Sequence, residues 1–164
     1  MESKEKYALF FDIDGTLVSF NTHEIPSSTL LALTQAKANG SRVYIATGRP
    51  PLIITNLKAI EHLIDGYVTT NGALCYVGDE LVCCQPIPKQ DVMTCVEDAK
   101  AKGYSLIVVG RKDVAVLDPT GDVERIFHQM LAVNELANAS LLEDVLQQDI
   151  LQLTPFSGLI TSRS

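Results

Sequence analysis

The sequence contains no apolar run long enough to cross a membrane. Its longest uninterrupted runs, such as Tyr7 to Phe11 and Leu106 to Val109, fall far short of the ~18 residues that a transmembrane helix needs. The N-terminal residues Met-Glu-Ser-Lys-Glu-Lys carry mixed charge and lack the apolar segment and small-residue cleavage site of an export signal. We therefore expect a soluble, cytoplasmic protein that has no membrane partner.

Clustered positive charge is also missing. The chain carries 13 Lys and Arg against 20 Asp and Glu, a formal net charge of −7, and its densest basic clusters are the pairs Lys100/Lys102 and Arg111/Lys112. Nucleic-acid binding needs a basic face that releases counterions from the phosphate backbone. The charge distribution therefore argues against a nucleic-acid partner.

Two kinds of binding motif are absent as well. The four cysteines, at positions 75, 83, 84 and 95, form no CxxC pair, which excludes a zinc knuckle and a thioredoxin-like site. Without an export signal, free buried thiols are the simplest interpretation of these residues. No GxGxxG or GxxxxGK[ST] motif occurs, so dinucleotide and P-loop sites are poor candidates.

What the sequence does contain is the composition of a globular protein and an alternating strand and helix pattern. The 164 residues are 46% hydrophobic and 20% charged, enough apolar material for a real core. Strands are predicted at 7–11, 42–46 and 66–70, and helices at 26–39 and 52–63. This order is typical of a doubly wound α/β sheet with right-handed crossovers. The first strand, which is apolar throughout, is expected to be buried on both faces.

The pattern changes after Asn71-Gly72. A hairpin is predicted from 73–77 and 80–84, and then helices at 89–103, 123–136 and 140–147 and strands at 105–109, 114–117 and 150–153. Ser140 and Glu143 are spaced as a capping box for the last helix. We expect residues 1–85 to form the N-terminal part of an α/β core and 86–156 a separate α+β lobe, with 157–164 left unassigned.

Polar residues follow each of the first three predicted strands. These residues are Asp12-Ile13-Asp14-Gly15-Thr16, then Thr47-Gly48-Arg49, and then Thr70-Asn71-Gly72. Ligands of open α/β sheets lie at the carboxyl ends of the strands, which places these segments at one edge. Two carboxylates separated by one residue repel each other unless a cation lies between them, and Mg²⁺ prefers one or two carboxylates together with substrate phosphate and water.

These residue types suit transfer of a phosphoryl group. Asp12 can attack phosphorus and form an aspartyl-phosphate that water hydrolyses, and Asp14 can act as the general acid and base. Thr16 can supply a hydroxyl or an amide to an anion. The hydroxyl of Thr47 and the amide of Gly48, next to a predicted helix start, can bind a phosphoryl oxygen.

The ordered set of motifs resembles the haloacid dehalogenase (HAD) superfamily, and within it the Cof-type sugar-phosphatase-like group with a C2-type cap. The segment 10–17, FFDIDGTL, is similar to the first motif of that superfamily, the segment 46–50, ATGRP, to its second, and 65–73 to the third-strand segment before the cap. The resemblance implies a Rossmann-like core with an inserted α+β cap and Mg²⁺ held by Asp12 and Asp14. It also implies a small phosphorylated metabolite, such as a sugar phosphate, as substrate, and Arg49 and Asn71 close to it.

The resemblance further implies a lysine after the cap and an acidic pair of the GDxxxD kind. No lysine follows Lys112, and neither Gly78-Asp79 nor Gly121-Asp122 continues with that spacing. We therefore expect a C-terminally truncated member of the family that hydrolyses phosphate esters weakly or not at all. Two functions stay open: a Mg²⁺-dependent phosphomonoesterase, or a catalytically incomplete HAD-like protein or binding module. An incomplete sheet would expose apolar surface and invite self-association.

Overall fold

The computed structural model describes residues 6–118, 121, 123 and 140–156. The chain divides into two compact units, Met1–Cys84 and Gln85–Ser164. The assignment of these units as a core and a cap stays a proposal. Within the described ranges, no helix combines the length and the hydropathy that a membrane span requires.

The first unit contains a five-stranded mixed sheet with the order β1-β2-β3-β4-β5. Its strands are β1 (Ala8–Phe11), β2 (Arg42–Ala46), β3 (Gly66–Thr69), β4 (Leu74–Val77) and β5 (Glu80–Cys84). The first three strands run parallel, whereas β4 and β5 form the predicted antiparallel hairpin. The α/β fold class expected from the sequence is confirmed.

Helix α1 (Ser27–Ala38) connects β1 to β2 and ends at Asn39, where the Asn39-Gly40 signal predicted its end. Leu33 of this helix is buried in a core that the sheet and its connecting loops share. The members of this core are Ile13, Leu17, Val18, Leu33, Val43, Ile45, Leu57, Ile60 and Leu63. The core therefore places Ile13, between the two candidate aspartates, at 0% exposure.

The predicted helix at 52–63 is wrong. The structure has two single 3₁₀ turns there, Pro51–Ile53 and Glu61–Leu63, joined by an irregular segment. The β-branched residues Ile53, Ile54 and Thr55 and the following asparagine have low helix propensity. The spacing of the apolar residues nevertheless predicted which side chains are buried. These are Ile53, Leu57, Ile60 and Leu63.

The expectation that β1 is buried on both faces is also wrong. Among the described residues β1 pairs only with β2, so it is an edge strand, and its residues alternate between exposed and half-buried. Phe10 is 57% exposed and stacks on Tyr44, with 4.9 Å between ring centroids. Open strand edges are sites where another strand can pair. Self-association through this edge stays a prediction.

Asp65 fixes the end of α1 against the sheet. Its carboxylate accepts hydrogen bonds from Lys37 Nζ, at 2.6 and 2.7 Å, and from the amide of Val43 in β2, at 2.7 Å. Burial alone would raise the pKa of Asp65, but the hydrogen bonds from Lys37 and Val43 and the nearby positive charges outweigh it and lower that pKa. The side chain of Asp65 thus links α1, β2 and the loop before β3.

Gly66 begins β3 at a point where no side chain fits. A Cβ atom at this position would lie 2.3 Å from the carbonyl oxygen of Tyr76 and 3.0 Å from Cα of Val77, both in the backbone of β4. We expect Gly66→Ala to force the strands apart and to lower the free energy of unfolding by about 3 kcal/mol, at the upper end of overpacking costs. Urea denaturation measures this loss.

Gly78, in the turn between β4 and β5, offers the matched control. It has a φ of +54°, and no atom of the described residues lies within 4 Å of the position that a Cβ atom would take. Gly78→Ala therefore changes backbone strain without changing packing, and it should cost only about 1 kcal/mol. Equal losses for the two variants would contradict the packing explanation for Gly66.

The second unit combines helices with a three-stranded antiparallel sheet of order β7-β6-β8. Its elements are α2 (Lys89–Lys102), β6 (Ser105–Gly110), β7 (Val114–Leu117), α3 (Leu142–Val145) and β8 (Ile150–Phe156). Strand β6 is buried along its whole length between its two neighbours. The predicted helix at 123–136 lies largely outside the described residues.

Two predicted elements of this unit differ from the structure. The helix expected at 140–147 is the single turn α3, and the capping box does not form, because the amide of Ser140 donates to the carbonyl of Val114 instead. Strand β8 continues past the predicted end at 153 and includes Pro155. Within sheets proline occurs mainly in edge strands, and among the described residues β8 pairs only with β6, so it is an edge strand.

Candidate active site

The loop that follows β1 is built around the carbonyl of Ile13. This oxygen accepts hydrogen bonds from the amides of Thr16, Leu17 and Val18, at 3.3, 3.1 and 2.9 Å. Since Ile13 is fully buried, the tight turn is anchored to the core. Asp12, just before this anchor, is exposed, and its carboxylate makes no hydrogen bond or ion pair with any described residue.

Asp14 and Arg49 form a two-pronged ion pair. Arg49 Nε donates to Asp14 Oδ2 at 2.8 Å, and Nη2 donates to Oδ1 at 2.7 Å. The third guanidinium nitrogen, Nη1, donates to the carbonyl of Ile53 at 3.0 Å. The side chain of Arg49 is 8% exposed and that of Asp14 is 29% exposed. Arg49 therefore holds Asp14 in one orientation from a buried position.

The loop after β2 presents Thr47 and Gly48 next to this pair. The hydroxyl oxygen of Thr47 accepts a hydrogen bond from the amide of Arg49 at 3.1 Å, and its own amide donates to Val68 in β3. Gly48 is exposed, and its amide makes no hydrogen bond within the described part of the chain. The Thr47 hydroxyl still has its proton to donate, so this loop offers two donors to an anion.

The loop after β3 closes over Gly48. Asn71 has a φ of +54°, and its amide donates to the carbonyl of Thr47 at 3.3 Å. A Cβ atom on Gly48 would lie only 3.0 Å from Asn71 Oδ1, so glycine leaves room for the asparagine side chain. Asn71 thereby lies against the loop that offers the two donors.

The structure thus links five of the seven predicted site residues by direct contacts. These five are Asp14, Thr47, Gly48, Arg49 and Asn71. Asp12 and Thr16 share the β1 loop with Asp14 but make no hydrogen bond to the other five. The individual roles predicted for all seven stay predictions, and the guanidinium of Arg49 is already engaged by Asp14 and Ile53.

The donor chemistry of the β1 loop fits Mg²⁺. Asp12 presents an exposed, hard carboxylate with no competing hydrogen bond, and Mg²⁺ often uses one or two carboxylates while keeping several waters. Both oxygens of Asp14 accept hydrogen bonds from Arg49, so this second carboxylate is less available. In the ranges that the structure describes, no three His, Cys, Asp or Glu side chains cluster as a complete metal site.

Sequence reasoning missed two features of this site. One is the carbonyl of Ile53, which holds Arg49 and lies in a segment that was predicted to be helical. The other is Thr70, a β-branched residue with a φ of +53° whose buried hydroxyl has no hydrogen-bond partner among the described residues. The Asn-Gly pair signals a left-handed turn at Asn71, but no sequence rule extends that conformation to a threonine.

The fold and the polar loops at the ends of β1, β2 and β3 define a Rossmann-like α/β protein. Within that class, the chain belongs to the haloacid dehalogenase-like hydrolase family, whose model matches residues 9–161. This confirms the family that the DIDGT and TGR segments predicted. It also agrees with the α/β sheet and with the position of the polar loops at one edge.

Solved structures of phosphatases show the same fold. The structure of the HAD subclass IIB sugar phosphatase BT4131 superimposes with a TM-score of 0.82 at 44% identity, covering 93% of this chain and 58% of that one. The phosphatase BT1666 from Bacteroides thetaiotaomicron gives a TM-score of 0.73 at 28% identity, covering 93% of this chain and 56% of that one.

A curated relative from Bacillus subtilis (strain 168) carries the name "Putative phosphatase YkrA". It is 29% identical to this chain over 100 residues, which cover 60% of this chain and 37% of that protein. The chain thus spans little more than a third of the length of the curated relative it matches. Activity, substrate and partners of a whole enzyme are therefore proposals for this chain.

Proposed function

We propose that this chain carries the nucleophile of a Mg²⁺-dependent phosphomonoesterase that acts on small phosphorylated metabolites such as sugar phosphates. The observation that supports this most is the exposed Asp12 carboxylate, free of hydrogen bonds within the described residues, at the end of β1. Strands β1 and β2 are parallel neighbours, so the Thr47-Gly48 loop is at the same edge of the sheet. A nucleophile and two anion donors thereby share one edge.

In the proposed reaction, Asp12 attacks phosphorus while the bond from phosphorus to the leaving oxygen breaks. Asp14 in its protonated form gives its proton to the leaving alkoxide, becomes the carboxylate that Arg49 holds, and takes a proton back from the water that hydrolyses the aspartyl-phosphate. Bound Mg²⁺ would supply positive charge that reduces the repulsion between the carboxylate and the phosphoryl group. Asp12 is the residue best placed to hold it, and Asp14, whose two oxygens already accept hydrogen bonds from Arg49, is the weaker second candidate.

The remaining site residues bind the phosphoryl group or position a residue that acts on it. The Thr47 hydroxyl and the Gly48 amide donate to phosphoryl oxygens, and Thr16 adds a hydroxyl at the rim of the β1 loop. Arg49 acts through Asp14, whose orientation it fixes by two hydrogen bonds. Asn71, exposed and adjacent to Gly48, faces the phosphate-binding loop. The substrate class is supported by the 44% identity to a sugar phosphatase.

The test is hydrolysis of p-nitrophenyl phosphate by the 164-residue chain with and without Mg²⁺. We expect slow turnover that falls to the uncatalysed rate when EDTA removes the metal and that returns when Mg²⁺ is restored, since the metal offsets phosphoryl charge. p-Nitrophenyl sulfate, which carries one negative charge fewer, is the control and should not react. Turnover that persists in EDTA would contradict the proposed metal dependence.

A second function, a catalytically incomplete HAD-like binding module, applies if these 164 residues act on their own, since they contain no lysine after Lys112 and no acidic pair of the GDxxxD kind. Without that lysine the charge of the transferring phosphoryl group is poorly compensated. No turnover by the parent chain, together with Mg²⁺-dependent binding of inorganic phosphate in calorimetry, would support this second function over the first.

A further inference from the structure

The hairpin of β4 and β5 places two cysteines directly opposite each other. In the antiparallel register Cys75 is the partner of Cys83, and the register shifts immediately after this pair, between Cys75 and Tyr76. Directly opposite residues of antiparallel strands have Cα atoms about 4.5 to 5.5 Å apart, which is within the range that a disulfide bridges. The backbone therefore already has a spacing that a disulfide between these residues needs.

The surroundings of the two thiols agree with this register. Cys75 and Cys83 are both half-buried, and all four cysteines are free thiols. Burial raises the pKa of Cys75, and the adjacent Cys83 raises it further. Cys84 is opposite Leu74 and, as the next residue along the strand, points to the other face of the sheet. Geometry thus distinguishes Cys83 from its neighbour.

Cys75 also contacts the loop that carries Asn71. Its thiol donates to the carbonyl of Gly72 at 3.5 Å. Gly72 belongs to a tight turn closed by the amide of Ala73, which donates to the carbonyl of Thr70 at 3.1 Å. The amide of Asn71, in the same turn, donates to the carbonyl of Thr47. A chemical change at Cys75 therefore acts on the loop against the Thr47-Gly48 segment.

We propose that Cys75 and Cys83 form a reversible intramolecular disulfide when the protein meets a peroxide, and that the disulfide loosens the Thr70–Gly72 turn. Cys83 sulfur attacks one peroxide oxygen, the O–O bond breaks, and one water leaves as a sulfenic acid forms. Cys75 sulfur then attacks the sulfenic sulfur and a second water leaves. The two thiols lose two protons and two electrons, and hydrogen peroxide takes them up as two waters.

The order of the two steps follows from the contacts. The Cys75 proton is engaged by the Gly72 carbonyl, whereas Cys83 donates to no backbone carbonyl among the described residues. Cys83 is therefore the thiol that reacts first and Cys75 the one that resolves it. Once Cys75 is in the disulfide it has no proton to donate, so the Gly72 carbonyl loses this partner.

The test treats the native chain with hydrogen peroxide, blocks the remaining thiols with N-ethylmaleimide and maps the digest without reduction by mass spectrometry. We expect two of the four thiols to disappear, one disulfide joining Cys75 to Cys83, and full recovery of the thiols in dithiothreitol. Cys84→Ser, the matched control, should keep this disulfide. Cys83→Ser and Cys83→Ala should both abolish it.

Amide hydrogen exchange tests the coupling to the loop. Oxidation should speed exchange at Ala73 by about fivefold or more in the parent chain and in Cys84→Ser, because local opening of the turn becomes easier. It should leave Cys83→Ser unchanged. The proposed disulfide between Cys75 and Cys83 would be contradicted by a disulfide through Cys84 or Cys95, by a purely intermolecular disulfide, or by retention of all four thiols. Unchanged exchange at Ala73 would overturn its coupling to the loop. Neither measurement depends on phosphatase turnover.

Discussion

We expect Asp12→Asn to reduce Mg²⁺-dependent hydrolysis of p-nitrophenyl phosphate to the rate measured without protein. An amide is a much weaker nucleophile than a carboxylate and cannot form the aspartyl-phosphate on which the proposed reaction depends. The substitution also removes one negative charge from the proposed Mg²⁺ ligands. A loss of about 10³-fold or more, equivalent to ~4 kcal/mol of transition-state stabilisation, is the size that removal of a nucleophile produces.

The surroundings of Asp12 indicate that this substitution does not disturb the fold. Asp12 is exposed and makes no hydrogen bond or ion pair with the described residues, so the isosteric amide should leave the melting temperature of the chain unchanged. Asp79→Asn, in the exposed turn of the β4–β5 hairpin, is the matched control and should retain the parent rate. If Asp12→Asn turned over as fast as the parent, Asp12 would not be the nucleophile.

The position of the candidate site could be predicted from the sequence because it depends on local signals. Apolar strands followed by short polar segments recur three times, and the parallel arrangement of β1, β2 and β3 brings their ends to one edge. Asp12, Thr47 and Asn71 reach that edge through strand order alone. No knowledge of side-chain contacts is needed for this step.

The contacts within the site could not be predicted, since they depend on residues far apart in the chain. The family resemblance implies that Arg49 lies near the substrate, which stays a prediction, but it does not indicate that the guanidinium binds Asp14 and the carbonyl of Ile53. That carbonyl is accessible because the 3₁₀ turn Pro51–Ile53 ends there and does not continue as an α-helix. In an α-helix the Ile53 carbonyl would accept from the amide four residues later. The failed helix prediction and the unexpected partner of Arg49 thus have one cause.

The exposure of β1 shows a different limit. An apolar run such as 7–11 predicts a strand, but how far it is buried depends on what covers its two faces and its free edge. In the described residues, only β2 pairs with it, and Tyr7 and Phe10 are each more than half exposed. Hydropathy is a property of the strand itself, whereas burial is a property of its neighbours.

Loss of the ion pair between Asp14 and Arg49 is expected to lower stability as much as overpacking at Gly66 does. Asp14→Ala should lower the free energy of unfolding by about 3 kcal/mol, because it leaves the buried guanidinium without its carboxylate. Arg49→Lys should not preserve the pair, since one ammonium cannot make two parallel bonds to Asp14 and also reach the carbonyl of Ile53. Urea denaturation of the parent and the variants gives these values.

A double-mutant cycle separates the pair from the packing of each side chain. Arg49→Ala removes the bond to Ile53 as well, so its own cost does not measure the ion pair. If the pair is coupled, the double variant Asp14→Ala/Arg49→Ala should be more stable than the sum of the single losses predicts, by about 2 kcal/mol. The exposed pair Asp98 and Lys102 is the matched control and should show no resolvable coupling, because water solvates both partners. Additive losses at Asp14 and Arg49 would mean that the two hydrogen bonds contribute nothing beyond what water offers these groups. Coupling at this pair and not at Asp98 and Lys102 would show that Arg49 and Asp14 stabilise the chain together, as the two hydrogen bonds between them predict.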